Sequence, residues 1–135
     1  MSASSFLGIA VMAAMALGAK QLYGQTVSEV HFETGASSAE IAGEITGNDY
    51  VDYTLGARAG QTMTATITPS GSLAVYFNIL PPGSQGEAIF IGSTEGESAS
   101  IELPEDGDYT LRVYQMGNAK DAGETHGYTL AVGIE

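Results

Sequence analysis

Gln61-Thr62-Met63-Thr64-Ala65-Thr66-Ile67-Thr68 alternates strictly, with Met63, Ala65 and Ile67 at the odd positions and threonine at every even one. A period of two puts consecutive side chains on opposite faces of an extended chain. One face here is apolar and the other carries hydroxyls, as in a strand half buried in an antiparallel sheet. The pattern spreads in both directions. Ala99, Ile101 and Leu103 alternate with Ser98, Ser100 and Glu102, and Tyr109, Leu111 and Val113 alternate with Thr110, Arg112 and Tyr114. Tyr128, Leu130, Val132 and Ile134 repeat it at the C-terminus. Upstream, Val30 with Phe32, Ile41 with Gly43 and Ile45, and Val51 with Tyr53 and Leu55 follow the same period less cleanly. Leu73–Leu80 (LAVYFNIL) is almost continuously apolar and is expected as a central strand covered on both faces.

Turn chemistry separates these runs at short intervals. Gly47-Asn48-Asp49, Gly56–Gly60, Pro81–Ser84, Glu95-Gly96-Glu97 and Pro104–Asp108 all favour tight or left-handed backbone. No segment after residue 26 shows an apolar stripe of helical period. About nine short strands are therefore expected from residue 27 onward, in an all-β, antiparallel two-sheet β-sandwich of jelly-roll or Greek-key type. Gly117–Thr125 (GNAKDAGET) is the one long connection without strand character, which makes it a candidate contact loop.

The whole chain has 135 residues, enough for one such domain. Apolar residues make up 44%, sufficient for a packed core, and 18 glycines suit a fold of many turns. Sixteen acidic residues outnumber four basic ones (Lys20, Arg58, Arg112, Lys120), for a net charge of −12. That surface repels phosphate backbones, so no nucleic acid is expected as partner. The absence of cysteine removes disulfides, thiolate nucleophiles and cysteine zinc sites.

Phe6–Ala19 (FLGIAVMAAMALGA) is a 14-residue uncharged run. As a helix it would span about 21 Å, short of the ~30 Å hydrocarbon core. It is expected as the apolar region of a signal peptide, or as an uncleaved hydrophobic anchor, since Met1–Ser5 carries no basic side chain. The organisation expected is thus 1–19 signal peptide or anchor, 20–26 linker and 27–135 sandwich. Export places the domain in the periplasm or outside the cell. Membrane contact arises only through residues 6–19 if they are retained.

Catalytic machinery is hard to assemble from these residues, and no cofactor is expected. His31 and His126 lie far apart, neither at metal-ligand spacing, and read as solvated strand histidines. Gly92-Ser93-Thr94-Glu95-Gly96 has threonine where a nucleophile elbow needs serine. Glu40, Glu44, Asp49 and Asp52 read as lying on wet strand faces, with no buried acid to form a glycosidase pair. Glu105, Asp106 and Asp108 cluster in one turn and form a weak calcium candidate, although Pro104–Gly107 is also a favourable β-turn on conformational grounds. Tyr50, Tyr76 and Tyr114 fall on the opposite parity to their apolar neighbours. Tyr76 is expected between the sheets, whereas Tyr50 and Tyr114 are candidates for exposed partner anchors.

Two stretches carry a resemblance. Phe32–Gln61 contains Gly-x-Ser-Ser-Ala at Gly35–Ala39, Gly-Glu-Ile-x-Gly at Gly43–Gly47, Asp49-Tyr50, and Ala-x-x-Gly-Gln at Ala57–Gln61. Leu103–Tyr128 contains the Leu-Pro…Gly-x-Tyr-x-Leu-Arg-Val hairpin at Leu103–Val113. Together they resemble the bacterial periplasmic inhibitors of g-type lysozyme and, more distantly, the pre-peptidase C-terminal sandwich domains. The resemblance implies an exported sandwich that blocks a lysozyme cleft with loop side chains and performs no catalysis. It also implies a contact tyrosine in the Gly-x-Asp-Tyr turn and two arginines, four apart, after the Leu-Arg-Val strand. Those positions here hold Asn48, Gly117 and Asp121. Asp121 would meet an acidic cleft with like charge where arginine would pair bidentately.

The expected function is a non-catalytic exported binding protein whose partner is a protein, possibly a lysozyme. Its contacts would come from Asn48, Asp49 and Tyr50, from Tyr114, and from Asn118 and Asp121 within Gly117–Asp121. An alternative is a structural or accessory sandwich tethered by its N-terminal segment, with inhibition lost. An unshielded edge strand also offers a route to homo-oligomers.

Overall fold

The alternation at Gln61–Thr68 becomes a strand in which Met63, Ala65 and Ile67 are buried while Thr64, Thr66 and Thr68 are exposed. The computed structural model describes residues 20–22, 25–71 and 74–135, and residues 6–19, expected as signal or anchor, lie outside them. Among the described residues ten strands form: β1 (Lys20–Leu22), β2 (Gln25–Glu29), β3 (Ser38–Thr46), β4 (Tyr50–Ala57), β5 (Thr62–Pro69), β6 (Val75–Leu80), β7 (Phe90–Ile91), β8 (Ser98–Glu102), β9 (Gly107–Gln115) and β10 (Thr125–Ile134). Two short helices, α1 (Gly92–Glu95) and α2 (Gly117–Asp121), interrupt them.

One sheet has the order β1-β2-β4-β9-β6-β7 and the other β3-β10-β5-β8, giving the expected two-sheet sandwich. The neighbours are antiparallel except β2 and β4, which run parallel. The inner faces supply one core. Tyr109, Leu111, Val113 and Phe77 of the larger sheet pack with Ile41, Ile45, Met63 and Leu130 of the smaller. Phe77 and Phe90 stack with ring centroids 5.1 Å apart.

The tyrosine hydroxyls inside this core are paired. The hydroxyls of Tyr53 on β4 and Tyr128 on β10 lie 2.6 Å apart, bridging the sheets. Gly43 on β3 explains itself through this pair, because a Cβ there would come within 2.6 Å of the Tyr128 oxygen and 3.0 Å of the Tyr53 oxygen. The Tyr109 hydroxyl donates to the Glu105 carbonyl at 2.7 Å and accepts from the Glu105 N–H at 3.0 Å, fixing the turn before β9.

Several local expectations are corrected. Part of the 20–26 stretch, expected as a linker, is strand: Lys20–Leu22 pairs with Gln25–Glu29, which extends the larger sheet beside β4. Val30 and Phe32 follow β2 rather than forming a strand, although the Val30 N–H still donates to the Thr54 carbonyl at 2.8 Å. β6 alternates after all, with Val75, Phe77 and Ile79 facing the core. Tyr76 therefore lies half buried on the outer face and not between the sheets. Asp52, expected on a wet face, is only 5% exposed. β2 places Val27 beside it, and Arg112 on β9 pairs with it from the other side.

Candidate partner-binding site

The outer face of the larger sheet carries side chains that the alternation leaves out of the core. Tyr50 on β4 sits in register with Tyr114 on β9, and Tyr114 with Tyr76 on β6, so three tyrosines cross three adjacent strands in one row. The Tyr76 and Tyr114 ring centroids are 6.0 Å apart. The next row, two residues along, is Asp52, Arg112 and Asn78.

These two rows are cross-linked. Arg112 forks onto Asp52, Nε to Oδ1 at 2.8 Å and Nη2 to Oδ2 at 3.0 Å, and its guanidinium lies 4.3 Å from the Tyr50 ring centroid. The hydrogen bonds it donates to Asp52 hold Arg112 still more firmly in its charged form. Tyr114 donates its hydroxyl proton to Asn78 Oδ1 at 2.8 Å, and the same oxygen accepts the Gly92 N–H at 3.1 Å. The rings are thereby held by partners at fixed geometry, a rigid amphipathic surface that a partner could engage at small entropic cost.

Above the rows opens a groove of about 440 Å³, lined by Asn48, Asp49, Tyr50 and Tyr114 together with Asn78, Arg112, Met116 and Lys120. Ile91 and Met116 are the large hydrophobic side chains exposed among the described residues, at 41% and 43%, and both line it. Adjoining exposed apolar and aromatic groups in one concavity mark an interaction site more strongly than scattered ones do.

Of the expected contacts, the structure brings Asn48, Asp49, Tyr50 and Tyr114 together. Asn118 and Asp121 do not line the groove. The connection expected as an irregular loop begins with α2, whose turn buries Ala119 and aims Lys120 at the groove instead. Lys120 approaches Asp121 no closer than 3.9 Å. Arg112 is committed to Asp52, so Lys120 is the cation the groove presents. Sequence reasoning missed Lys120, Arg112, Asn78, Ile91 and Met116. Arg112 shares the parity of Tyr114, a signal the sequence offered, whereas the placement of Lys120 depends on the winding of α2.

The other candidates do not assemble a site. Asp106 Oδ1 accepts the Ala59 N–H at 2.8 Å, tying two turns together, and among the described residues no three His, Cys, Asp or Glu side chains converge as Glu105, Asp106 and Asp108 would need to. Gly92–Glu95 forms α1, packed so closely that a Cβ at Gly92 would strike the Phe77 carbonyl. His126 Nε2 lies 2.8 Å from Glu124 Oε1, and His31 is exposed. A second concavity, of about 400 Å³, lies at the far end of β4 beside Phe32, Ala57, Arg58 and Gln61. It holds no tyrosine.

No family profile matches the chain. Over 109 residues it is 33% identical to the inhibitor of g-type lysozyme of Escherichia coli (strain K12), covering 78% of this chain and 79% of that one. It superposes on the crystal structure of Aeromonas hydrophila PliG, a periplasmic inhibitor of g-type lysozyme, with a TM-score of 0.76 and 40% identity, over 82% of this chain and 97% of the other. The pre-peptidase C-terminal domain of a Bacillus anthracis collagenase shares the fold at a TM-score of 0.60 and 16% identity, over 84% of this chain and 98% of that one.

Proposed function

The chain belongs to the family of inhibitors of g-type lysozyme, and from that premise we propose that it is an exported, non-catalytic protein that blocks a g-type lysozyme cleft with the groove described above. The observation that carries this reading is the 40% identity to a periplasmic inhibitor over nearly that protein's whole length. The groove fits it physically, since it offers aromatic and apolar area on a rigid floor with one cation at the rim.

The contact set is this chain's own. Asn48, Gly117 and Asp121 occupy the positions where the family resemblance implies a tyrosine and two arginines. Tyr50 and Tyr114, on the two middle strands of the larger sheet, and Lys120 on α2 take over the aromatic and cationic roles. Asn118 and Asp121 act at the outer rim of α2, beyond the groove itself. The acidic surface raises the encounter rate with a basic lysozyme and contributes little to holding it. Residues 1–19 act as the export signal to the periplasm, and the sandwich from β1 onward forms the inhibitory domain.

Hydrogen exchange of the protein with and without a g-type lysozyme tests the placement. Protection is expected at the amides of Asn48–Tyr50 and Met116–Lys120. Protection confined to Arg58–Gln61, at the other concavity, would contradict it.

A further inference from the structure

Gln115 ends β9 on the inner parity, where the core stops, and is 2% exposed. Its Nε2 donates to the Glu124 carbonyl at 2.9 Å and, at a longer 3.4 Å, to the Gly47 carbonyl. The Gly47 N–H donates to the same Glu124 carbonyl at 2.9 Å. Gly47 has φ +53°, which favours glycine, and a Cβ there would lie 3.2 Å from the Gly123 Cα, so two backbones meet closely here. Gln115 Oε1 is buried with no hydrogen-bond partner. An amide that leaves its acceptor unsatisfied is unfavourable for the core as such, which points to the donor half as the reason for glutamine at this position.

The two backbones that the amide joins are those that carry the groove's walls. Gly47 leads into Asn48, Asp49 and Tyr50. Glu124 follows α2, which is rigid within itself, since the Ala122 N–H donates to Asn118 at 2.8 Å, the Glu124 N–H donates to Ala119 at 3.0 Å, and Ala119 is buried. α2 and the turn after it thus form one hydrogen-bonded block with Lys120 on it. The β3–β10 pairing, which ends at Thr46 and Thr125, brings the two backbones together, and beyond its end the Gln115 amide and the Gly47 N–H, meeting at the Glu124 carbonyl, tie the turn to that block.

We propose that Gln115 is a positioning residue that locks the Gly47–Asp49 turn to the α2 block, so that both walls of the groove are preorganised for the lysozyme. The inference rests on the reading of the groove as the inhibitory site. Preorganisation lowers the ordering cost of association, and its loss is felt mainly in the dissociation rate.

The test uses Gln115→Met, equal in length without a donor, and Gln115→Glu. In Gln115→Met the Gly47 amide is expected to exchange about tenfold faster, the equivalent of one lost hydrogen bond, and the complex with a g-type lysozyme to dissociate about tenfold faster. The Leu111 and Leu130 amides, in the core, should keep their protection. In Gln115→Glu a buried carboxyl faces two carbonyls, which favours its neutral form, and that form can donate to Glu124. Inhibition is therefore lost at pH 8 and regained at pH 5 within one protein, whatever the folding of the methionine variant. Unchanged Gly47 exchange in Gln115→Met, or a released Gly47 with undiminished inhibition, overturns the proposal, as does a Gln115→Glu variant whose inhibition follows the parent's pH profile. Failure of the unaltered protein to inhibit any g-type lysozyme is a failure of the functional reading, and Gly47 exchange still decides whether the tie exists.

Discussion

Tyr53 and Tyr128 meet oxygen to oxygen at 2.6 Å in the interior, one from each sheet, with Gly43 leaving the room they need. Burial raises the pKa of both phenols, and at Tyr128 the neighbouring Tyr53 adds to the rise. Replacing either one by phenylalanine leaves the other hydroxyl buried without its partner and should cost about 1–3 kcal/mol. Replacing both should cost less than the sum of the single changes, which a double-mutant cycle by chemical denaturation will read directly.

The same pair sets an alkaline limit. Phenols whose folded pKa lies above the unfolded value near 10 contribute stability that is complete below about pH 10 and is lost as pH rises beyond it. The melting temperature is expected to fall above pH 10, and to fall less steeply in the double phenylalanine variant.

Arg112 and Asp52 form a pair that is more than a surface ion pair, since the carboxylate is almost fully buried. Asp52→Ala leaves the partly exposed guanidinium without its fork and should destabilise the fold by about 1.5–3 kcal/mol. Arg112→Lys keeps the charge but loses both the fork and the planar contact with Tyr50. It should weaken lysozyme binding by more than its loss of stability accounts for, as titration calorimetry beside thermal unfolding will show.

Tyr50 is the ring with a fixed support and an open side, so it is the expected anchor. Tyr50→Ala should weaken inhibition by about 2 kcal/mol, roughly thirtyfold, with little effect on the melting temperature. Met116→Ala should act in the same direction and more weakly. Equal affinity of the Tyr50 variant and the parent would place the contact elsewhere.

The strands were legible because each inner face is a run of alternating apolar residues, and Met63, Leu111 and Leu130 all face where parity put them. Parity could not show coverage of the outer face. Asp52 looked solvated because nothing in its own strand announces β2 beside it or Arg112 sixty residues later. Tyr76 looked internal because Leu73–Leu80 is almost continuously apolar, and only pairing with β9 aligns it with Tyr114 and Tyr50. In the candidate site, the turn Asn48–Tyr50 and Tyr114 were readable from turn chemistry and parity. Lys120 was not, because it depends on α2 winding within a segment whose glycines and polar residues read as loop. Asn118 and Asp121 lie on the same helix, outside the lining of the groove.

The most direct measurement is inhibition of cell-wall lysis by g-type, c-type and i-type lysozymes at increasing concentrations of the protein and at two salt concentrations. The account predicts stoichiometric, g-selective inhibition at submicromolar protein, with salt slowing association more than it speeds release. No inhibition of the g-type enzyme at micromolar protein would contradict it.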